Sequence, residues 1–495
     1  MTSAIQPANQ IKVERGINVA GYLTSESGVA EATRGYVKAL QHLGYNVALN
    51  NFEVGVQSRK EDKTFSTFAS NNPHAINLVC VNADQMPAFI QHFGTEYFKD
   101  KYNIAVWWWE TPDFPEEWWE HFNYFDEIWV GSSYIQRAIA NVSPVPVVAV
   151  QPVVEPRTTV RDRAKFDLPE NEFLLLCVFD FLSSFERKNP LACVEAFKQA
   201  FTSDQPVRLV LKCINGDKNP ELLKQLQQKS EGSKVAIIDR YLSADDNQIL
   251  SNSCDAYISL HRAEGLGLPI AEAMLNKKPV VVTGWSGNMD FNSIANSYLV
   301  SYKLIANQTQ VGPYKIADTW ADADPEHAAS QLRRLYANEI ERAAFVETAF
   351  KSATEYFSKD AVAQTMQTRL SAIGAFNRPA IDSASNGLSA ESSKEKVCHV
   401  DPLTEQRLRM IESGEDPADS SQTKSRIRKT MMKLVEKSGY LNGIYSALFR
   451  KLFVDNSKTQ TKVELMESRT RRALADADRR IAALEKRLNE IQNNK

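Results

Sequence analysis

Short apolar segments alternate with amphipathic or polar segments along the first 300 residues of the chain. Apolar runs of this length are typical of strands buried on both faces of a sheet, and segments such as 29–40 have the periodicity of an amphipathic helix. The alternation therefore predicts βα units with parallel sheets. The predicted strands fall into two series, 16–23, 45–49, 75–81, 102–106 and 127–130, then 173–179, 207–212, 235–238, 256–260 and 279–283.

Four prolines, at positions 144, 146, 152 and 156, separate the two series and indicate a hinge. We therefore predict an α/β protein with two Rossmann-like, doubly wound domains, residues 1–155 and 156–375. In such folds ligands bind outside the carboxyl ends of the strands, so we expect the domains to face a shared cleft. The helical run 341–373 is predicted to close the second domain, and its last helix to cross back to the first.

The remaining chain has a different composition. Residues 376–423 are rich in Ser, Ala, Pro and charged residues, which predicts a linker. Residues 424–495 form a predicted helical tail, in which apolar residues from Leu474 to Ile491 repeat with coiled-coil spacing. The repeat is shorter than three or four heptads, so a homo-oligomer through this helix and a single helix docked on the body both remain open.

Charge and composition narrow the class of protein. A net charge of −3 argues against general nucleic-acid binding. No apolar run approaches the ~20 residues of a membrane span, and the N-terminal segment lacks the apolar stretch of a signal peptide. Scattered cysteines in apolar segments predict buried thiols. We expect a cytoplasmic protein, and the basic segment 426–437 predicts either a peripheral contact with the inner membrane face or a solvated or subunit-facing surface.

One loop carries the strongest sign of a ligand. Between the predicted strand ending at Leu260 and a predicted helix beginning near Pro269 lies the segment Glu264-Gly265-Leu266-Gly267. Its glycines let backbone N–H groups approach an anion at the helix N-terminus. Carboxylates at Glu264 and Glu272 flank the loop and suit a ligand with many hydroxyl groups. A nucleotide sugar has both properties.

A second loop, at a predicted strand-to-helix junction, holds Arg187 and Lys188. A guanidinium fork and an ammonium group together can clamp a diphosphate. A solvated basic pair is the alternative interpretation. The clamp is favoured because this loop should face the same cleft as Glu264.

The ordered set Arg187-Lys188, Glu264-x7-Glu272 and Pro279-Val-Val-Val-Thr resembles the family-4 retaining glycosyltransferases, which have the GT-B fold. The loop Gly284–Phe291 and the glycines Gly21 and Gly28 also resemble segments of that family. The resemblance extends over residues 16 to 375. It implies two Rossmann-like domains facing a cleft.

The resemblance also implies roles for individual residues. Glu264 would hold hydroxyls of the transferred sugar, Glu272 would hold the ribose, and Arg187 and Lys188 would neutralise the departing diphosphate. It implies no cofactor, and no metal is predicted, because no D-x-D stands at a strand end: 322–324 and 476–478 fall in predicted late helices or loops. The further donor-binding residues are Gly28, Tyr241, Leu242, Gly265, Leu266 and Gly267.

The first domain departs from the family at one place. Many relatives carry a histidine after the strand that faces the donor sugar, whereas this chain reads Val106-Trp-Trp-Trp-Glu110. We hypothesise that Glu110 takes that position. The surrounding segment holds six of the eight tryptophans, and aromatic faces stack on sugars, so Trp109 is the predicted acceptor contact. Packing in the core is the alternative for these rings.

These features predict a glycosyltransferase that moves mannose or glucose from a nucleoside-diphosphate sugar to a glycan or lipid-linked acceptor. Retention of configuration and a place in surface-polysaccharide synthesis follow from the resemblance. Two alternatives remain: a GT-B nucleotide-sugar epimerase or phosphorylase, and a non-catalytic scaffold that assembles partners. The scarcity of histidines in the first domain argues against an epimerase, and the presence of Arg187, Lys188, Glu264 and Glu272 argues against a scaffold.

Overall fold

The computed structural model describes residues 15–156 and 160–376, with side chains as far as residue 374. The predicted linker, the basic segment and the coiled-coil tail lie outside these residues. Within them, no helix is long and apolar enough to cross a membrane. Five cysteines in this part of the chain are free and buried, as predicted from their apolar neighbours.

The first domain is built on a six-stranded parallel sheet with the order β2-β1-β3-β4-β5-β6. Five of its strands fall where the apolar segments predicted them. The sixth was missed because Val147 to Ala149 is short and follows two prolines that indicated a hinge. The elements are β1 (Gly16–Gly21), α1 (Gly28–His42), β2 (Asn46–Asn51), β3 (Ile76–Cys80), α2 (Met86–Phe93), β4 (Tyr102–Trp107), β5 (Glu127–Val130), α3 (Ser133–Ala140) and β6 (Val147–Ala149).

The second domain repeats the architecture, with a six-stranded parallel sheet in the order β12-β11-β10-β7-β8-β9. Two such sheets with flanking helices confirm the prediction of two doubly wound domains. The elements are β7 (Phe173–Asp180), α4 (Phe185–Lys188), α5 (Pro190–Ala200), β8 (Val207–Ile214), α6 (Pro220–Ser230), β9 (Val235–Asp239), α7 (Ala244–Ser253), β10 (Ala256–Ser259), α8 (Leu268–Leu275), β11 (Val280–Thr283) and β12 (Tyr298–Val300).

An antiparallel hairpin that was not predicted follows β12. It pairs β13 (Tyr302–Ala306) with β14 (Thr319–Ala323). Residues of the hairpin and its connecting loop, Ile305, Val311, Tyr314 and Trp320, pack into the apolar core of the first domain. Asp322 therefore lies in a strand, and its predicted position in a helix or loop was wrong.

The chain continues through α9 (Pro325–Ala337), α10 (Glu339–Phe357) and α11 (Lys359–Phe376). The predicted helical run 341–373 consists of two helices, α10 and α11, on either side of Ser358. Residues of α11 that include Met366 and Leu370 are buried in the same apolar cluster as α1 and β1 of the first domain. Arg369 of α11 also forms an ion pair with the fully buried Glu127 of β5. The last helix therefore covers the first domain.

Candidate active site

A cleft of about 850 Å³ lies between the two sheets and is lined by residues of both domains. The structure brings eleven of the twelve residues singled out from the sequence to its walls, and only Trp109 lies elsewhere. The first domain contributes Gly28 and Glu110, and the second contributes Arg187, Lys188, Tyr241, Leu242, Glu264, Gly265, Leu266, Gly267 and Glu272.

Two helix N-termini meet at the cleft. Helix α1 begins at Gly28 and α8 begins at Leu268, and a Cβ added to Gly28 would lie 4.0 Å from the Leu268 side chain. The N-terminus of a helix carries partial positive charge and unpaired N–H groups. Gly267 precedes α8 with φ +91°, a conformation that favours glycine. The backbone here is arranged to receive an anion.

The loop before α8 is held from both sides. A Cβ on Gly287 would lie 1.9 Å from the Gly265 carbonyl oxygen, so only glycine allows the two backbones to approach this closely. From the first domain, the Ser132 hydroxyl donates a 2.5 Å hydrogen bond to the same carbonyl. Next to it, the Asp290 carboxylate accepts hydrogen bonds from the backbone N–H and hydroxyl of Ser133, at the start of α3. These ties across the cleft were not predicted.

Glu264 is the carboxylate at the centre of the site. It is 8% exposed, its Oε1 lies 2.5 Å from Lys188 Nζ, and its Oε2 lies 3.6 Å from Arg187 Nη1. Burial alone would raise the pKa of Glu264, but the Lys188 and Arg187 cations outweigh it and lower that pKa to about 2. The side chain is therefore ionised near neutral pH and cannot serve there as a general acid.

Arg187 and Lys188 are not a solvated pair. Arg187 is 4% exposed on α4, where it donates to the Ala263 carbonyl at 2.8 Å and to the Ser183 hydroxyl at 3.0 Å. Its Nε has no hydrogen-bond partner among the described residues. Asn189, in the left-handed conformation directly after α4, donates to the Leu260 carbonyl at 3.0 Å. This bond fixes the basic loop against the end of β10, and both cations face the Glu264 carboxylate.

On the opposite wall, Glu110 is held by a residue that the sequence did not reveal. The Tyr314 hydroxyl donates a 2.8 Å hydrogen bond to Glu110 Oε2. Its ring stacks on Trp109 at 5.4 Å between centroids, and the Arg187 guanidinium lies 5.7 Å from the ring centroid. Tyr314 is fully packed between the domains, so Glu110 and Arg187 share one buried neighbour.

Trp109 is not available to a sugar in this structure. It is 3% exposed, its Nε1 donates to the Asp113 carbonyl at 2.7 Å, and its ring packs against Tyr314 and, edge-on, against Trp118 at 5.0 Å. The core interpretation therefore fits Trp109 better than the predicted acceptor contact. Trp108, its neighbour, lines the cleft instead, and lies against Gly131 and Gly265.

His261, directly after β10, is a structural residue. Its Nδ1 lies 3.0 Å from the Ser259 hydroxyl, and its Nε2 lies 3.1 Å from the Asn288 side-chain oxygen. Burial lowers the pKa of His261, which favours the neutral ring at neutral pH. Both ring nitrogens are occupied by the protein, so His261 supports the loop that carries Glu264.

The far end of the cleft, past β8 and β9, is bridged by an arginine of the first domain. The Arg59 guanidinium lies 4.9 Å from the Tyr241 ring centroid and donates to the Leu242 carbonyl at 3.4 Å. Glu26 pairs with Arg59, and the Tyr241 hydroxyl donates to Asn215 at 3.1 Å. Tyr241 and Leu242 thus lie where both domains reach the cleft.

Comparison with known proteins agrees with this architecture. Residues 159–303 match the family model for glycosyl transferases group 1. No curated protein matches the chain. Among solved structures, Anabaena HepE in complex with UDP and glucose is 14% identical with a TM-score of 0.53, over 72% of this chain and all of that one.

Two further structures are similar to the same extent. Sucrose-phosphate synthase from Thermosynechococcus elongatus is 13% identical with a TM-score of 0.55, over 73% of this chain and 100% of its own. A glycosyltransferase from Rickettsia africae is 15% identical with a TM-score of 0.53, over 73% and 99%. At these identities the likeness shows the fold. The family match and the shared two-sheet GT-B fold together support a glycosyltransferase.

Proposed function

We propose that the protein is a family-4 retaining glycosyltransferase. It transfers a hexose, mannose or glucose, from a nucleoside-diphosphate sugar to a glycan or lipid-linked acceptor, in surface-polysaccharide synthesis on the cytoplasmic side of the membrane. The observation that carries the proposal is the buried group formed by Glu264, Lys188 and Arg187 in a cleft between two doubly wound domains. The solved complexes of Anabaena HepE with UDP and glucose make UDP-glucose the first donor to test.

The second domain supplies charge stabilisation of the leaving group. Breaking a glycosyl–phosphate bond places negative charge on the diphosphate, and preorganised cations at that position lower the barrier. Arg187 and Lys188 are the cations for the diphosphate: Glu264 holds the Lys188 ammonium, and Arg187, anchored by its bonds to Ala263 and Ser183, keeps an Nε with no partner among the described residues. The N-terminus of α8 adds partial positive charge at the same place. Metal is not part of this proposal.

The ionised Glu264 carboxylate acts as a binding group. It accepts hydrogen bonds from hydroxyls of the transferred sugar and holds Lys188 in place before the donor arrives. Glu110, fixed by Tyr314, accepts hydrogen bonds from the sugar on the opposite side of the cleft. With both carboxylates engaged in binding, retention proceeds by front-face attack, in which a leaving phosphate oxygen takes the proton of the acceptor hydroxyl.

The decisive experiment is a panel of nucleotide sugars on the purified full-length chain, read by thermal shift and by donor hydrolysis. Binding stabilises the fold in proportion to saturation, so UDP-glucose, UDP-N-acetylglucosamine, GDP-mannose and ADP-glucose can be ranked. We expect one donor to raise Tm and to be hydrolysed, and Glu264→Gln to abolish both effects. A chain that responds to none of them would instead be a scaffold with a glycosyltransferase fold.

The acceptor and the membrane contact need a separate measurement. The basic segment lies outside the described residues, so its role rests on its sequence alone. We expect the full-length chain to float with liposomes that contain anionic lipid, and a chain without residues 424–453 to remain in solution. Equal flotation of both chains would contradict a membrane contact through this segment.

A further inference from the structure

A buried lysine lines the cleft in the second domain, and neither the sequence motifs nor the proposed reaction uses it. Lys212 lies near the end of β8 and is 4% exposed. The register places it between Val178 of β7 and Ile238 of β9, so its side chain leaves the sheet on the same face as theirs. Val178 lines the cleft beside it.

The ammonium group of Lys212 is only partly satisfied by the protein. Its Nζ donates to the Cys213 carbonyl at 2.9 Å, and an ammonium has three N–H donors. No carboxylate among the described residues forms an ion pair with it. The titratable and charged groups that face it are the Cys213 thiol, Asp239, Asp180 and Arg240. The first three raise the pKa of Lys212, but burial outweighs them and lowers that pKa to about 8. A buried cation with spare donors favours an acceptor from a ligand.

The surroundings of Lys212 suit a planar base better than a diphosphate. Leu176, Val178, Leu250 and Tyr257 line the cleft on this sheet face. The cations for the diphosphate, Arg187 and Lys188, follow β7, and Glu264 follows β10. In the order β10-β7-β8-β9, β8 and β9 lie one and two strand spacings beyond β7, about 5 and 10 Å at ~4.8 Å each, so a base at β8 and β9 would lie beyond a diphosphate at β7.

We propose that Lys212 reads the nucleobase of the donor by donating to a ring carbonyl oxygen, O4 of uracil or thymine or O6 of guanine. Lysine can only donate, so an amino group at that position of cytosine or adenine would place donor against donor. The site therefore selects nucleoside diphosphates with a keto base. This inference rests on the proposed function.

The test is the affinity of the full-length chain for UDP, GDP, CDP and ADP, measured by calorimetry. We expect UDP or GDP to bind at least about tenfold more tightly than CDP and ADP, as expected for a hydrogen bond to a charged group. Lys212→Met should weaken the preferred nucleotide about tenfold to hundredfold and leave all four alike. Lys278→Met is the control, because Lys278 is a partly buried lysine of the same domain that donates to backbone carbonyls away from the cleft; it should change nothing.

Each other outcome has a distinct meaning. If the wild-type chain binds none of the four nucleotides, the proposed function itself is contradicted. If the wild type binds but Lys212→Met retains its preference, or weakens all four equally, Lys212 does not read the base. Tighter binding of CDP or ADP would also overturn the inference. If Lys212→Met does not fold, Lys212→Gln serves instead: its amide can donate or accept, so it should narrow the preference for keto bases.

Discussion

The two walls of the cleft are built in different ways. The second-domain wall carries charged side chains on helix α4 after β7 and on the loop after β10, and its key contacts join Glu264 to Lys188 and Arg187. The first-domain wall carries Glu110 within a tryptophan-rich segment, and its orientation depends on Tyr314, which arrives from the other domain. One wall is assembled from short motifs, the other from packing between distant segments. The first should tolerate change in its neighbours, while the second should not.

The largest effect is expected from removing the Lys188 ammonium from the second-domain wall. Lys188→Met should lower donor cleavage by about 10²–10³-fold, the cost typical of losing one preorganised group at a developing charge. The measurement is kcat with the donor identified by the panel. Lys198→Met, an exposed lysine on α5, should retain full activity. Turnover of Lys188→Met within tenfold of wild type would place the leaving-group charge elsewhere.

Trp109→Ala tests whether the aromatic wall is a core or a sugar platform. Removing this buried ring should cost about 3–5 kcal/mol of unfolding free energy, by analogy with other large-to-small core changes. The acceptor KM should stay unchanged in the protein that remains folded. Trp119→Ala, at a half-exposed ring of the same segment, should cost far less. A raised KM with unchanged stability would restore the role of Trp109 as an acceptor contact.

Glu110→Gln keeps the shape and the hydrogen bond from Tyr314 but removes the charge. Turnover should fall about tenfold to hundredfold, the range for hydrogen bonds to charged groups. Glu117→Gln, a solvent-exposed carboxylate of the same segment paired with Lys315, provides the control in steady-state assays. Unchanged turnover in Glu110→Gln would show that this position has no part in the reaction.

Tyr314→Phe removes one hydroxyl and leaves the stacked ring. We expect kcat to fall about tenfold with little change in donor KM, because the Glu110 carboxylate loses a charged hydrogen bond that fixes its position. In Glu110→Gln the same tyrosine change should have a smaller effect, since the two groups act as a pair. Tyr302→Phe, on the same hairpin, is the reference. Additive losses would mean that Tyr314 acts independently of Glu110.

The smallest effect concerns the free energy of unfolding that the buried charge of Lys212 costs the protein. Because burial lowers the pKa of Lys212 to about 8, the unfolded chain binds more protons between pH 8 and the ordinary lysine value of 10.5. As the pH rises through this window, the free energy of unfolding of the wild type should therefore increase relative to that of Lys212→Met. At pH 7 the Met variant should be more stable by about 1 kcal/mol, measured by denaturant unfolding. A less stable Met variant at pH 7 would contradict this balance.

The sequence predicted that the second-domain residues would line one cleft, because the motifs that carry them are local. Glu264 and Glu272 stand eight residues apart around one loop, and the apolar strands on either side of that loop are unambiguous. Lys188 reaches Glu264 because β7 and β10 are neighbours in the sheet, which follows from the doubly wound order.

The opposite wall could not be predicted to the same degree. Tyr314 follows Pro313 in a polar loop. It contacts Glu110 across 204 residues of sequence, and no periodicity in the loop indicates that contact. The run of tryptophans indicated an aromatic segment but not which way each ring points. Trp109 was therefore predicted to contact the acceptor, whereas it is Trp108 that lines the cleft. Lys212 was hidden within an apolar strand, where one charged residue did not change the pattern.

The position of helix α11 determines when the first domain can complete its core during translation. The apolar cluster around α1 and β1 includes Val362, Met366 and Leu370, which the ribosome delivers only after the whole second sheet has emerged. Domains otherwise tend to fold as units from the N-terminus during translation. In this chain, part of the apolar core of the first domain stays uncovered until α11 is synthesised, more than two hundred residues after β6, the last strand of that domain. The N-terminal half is thus the last to be completed, and a chain truncated before α11 would leave that apolar surface open to chaperones and to aggregation.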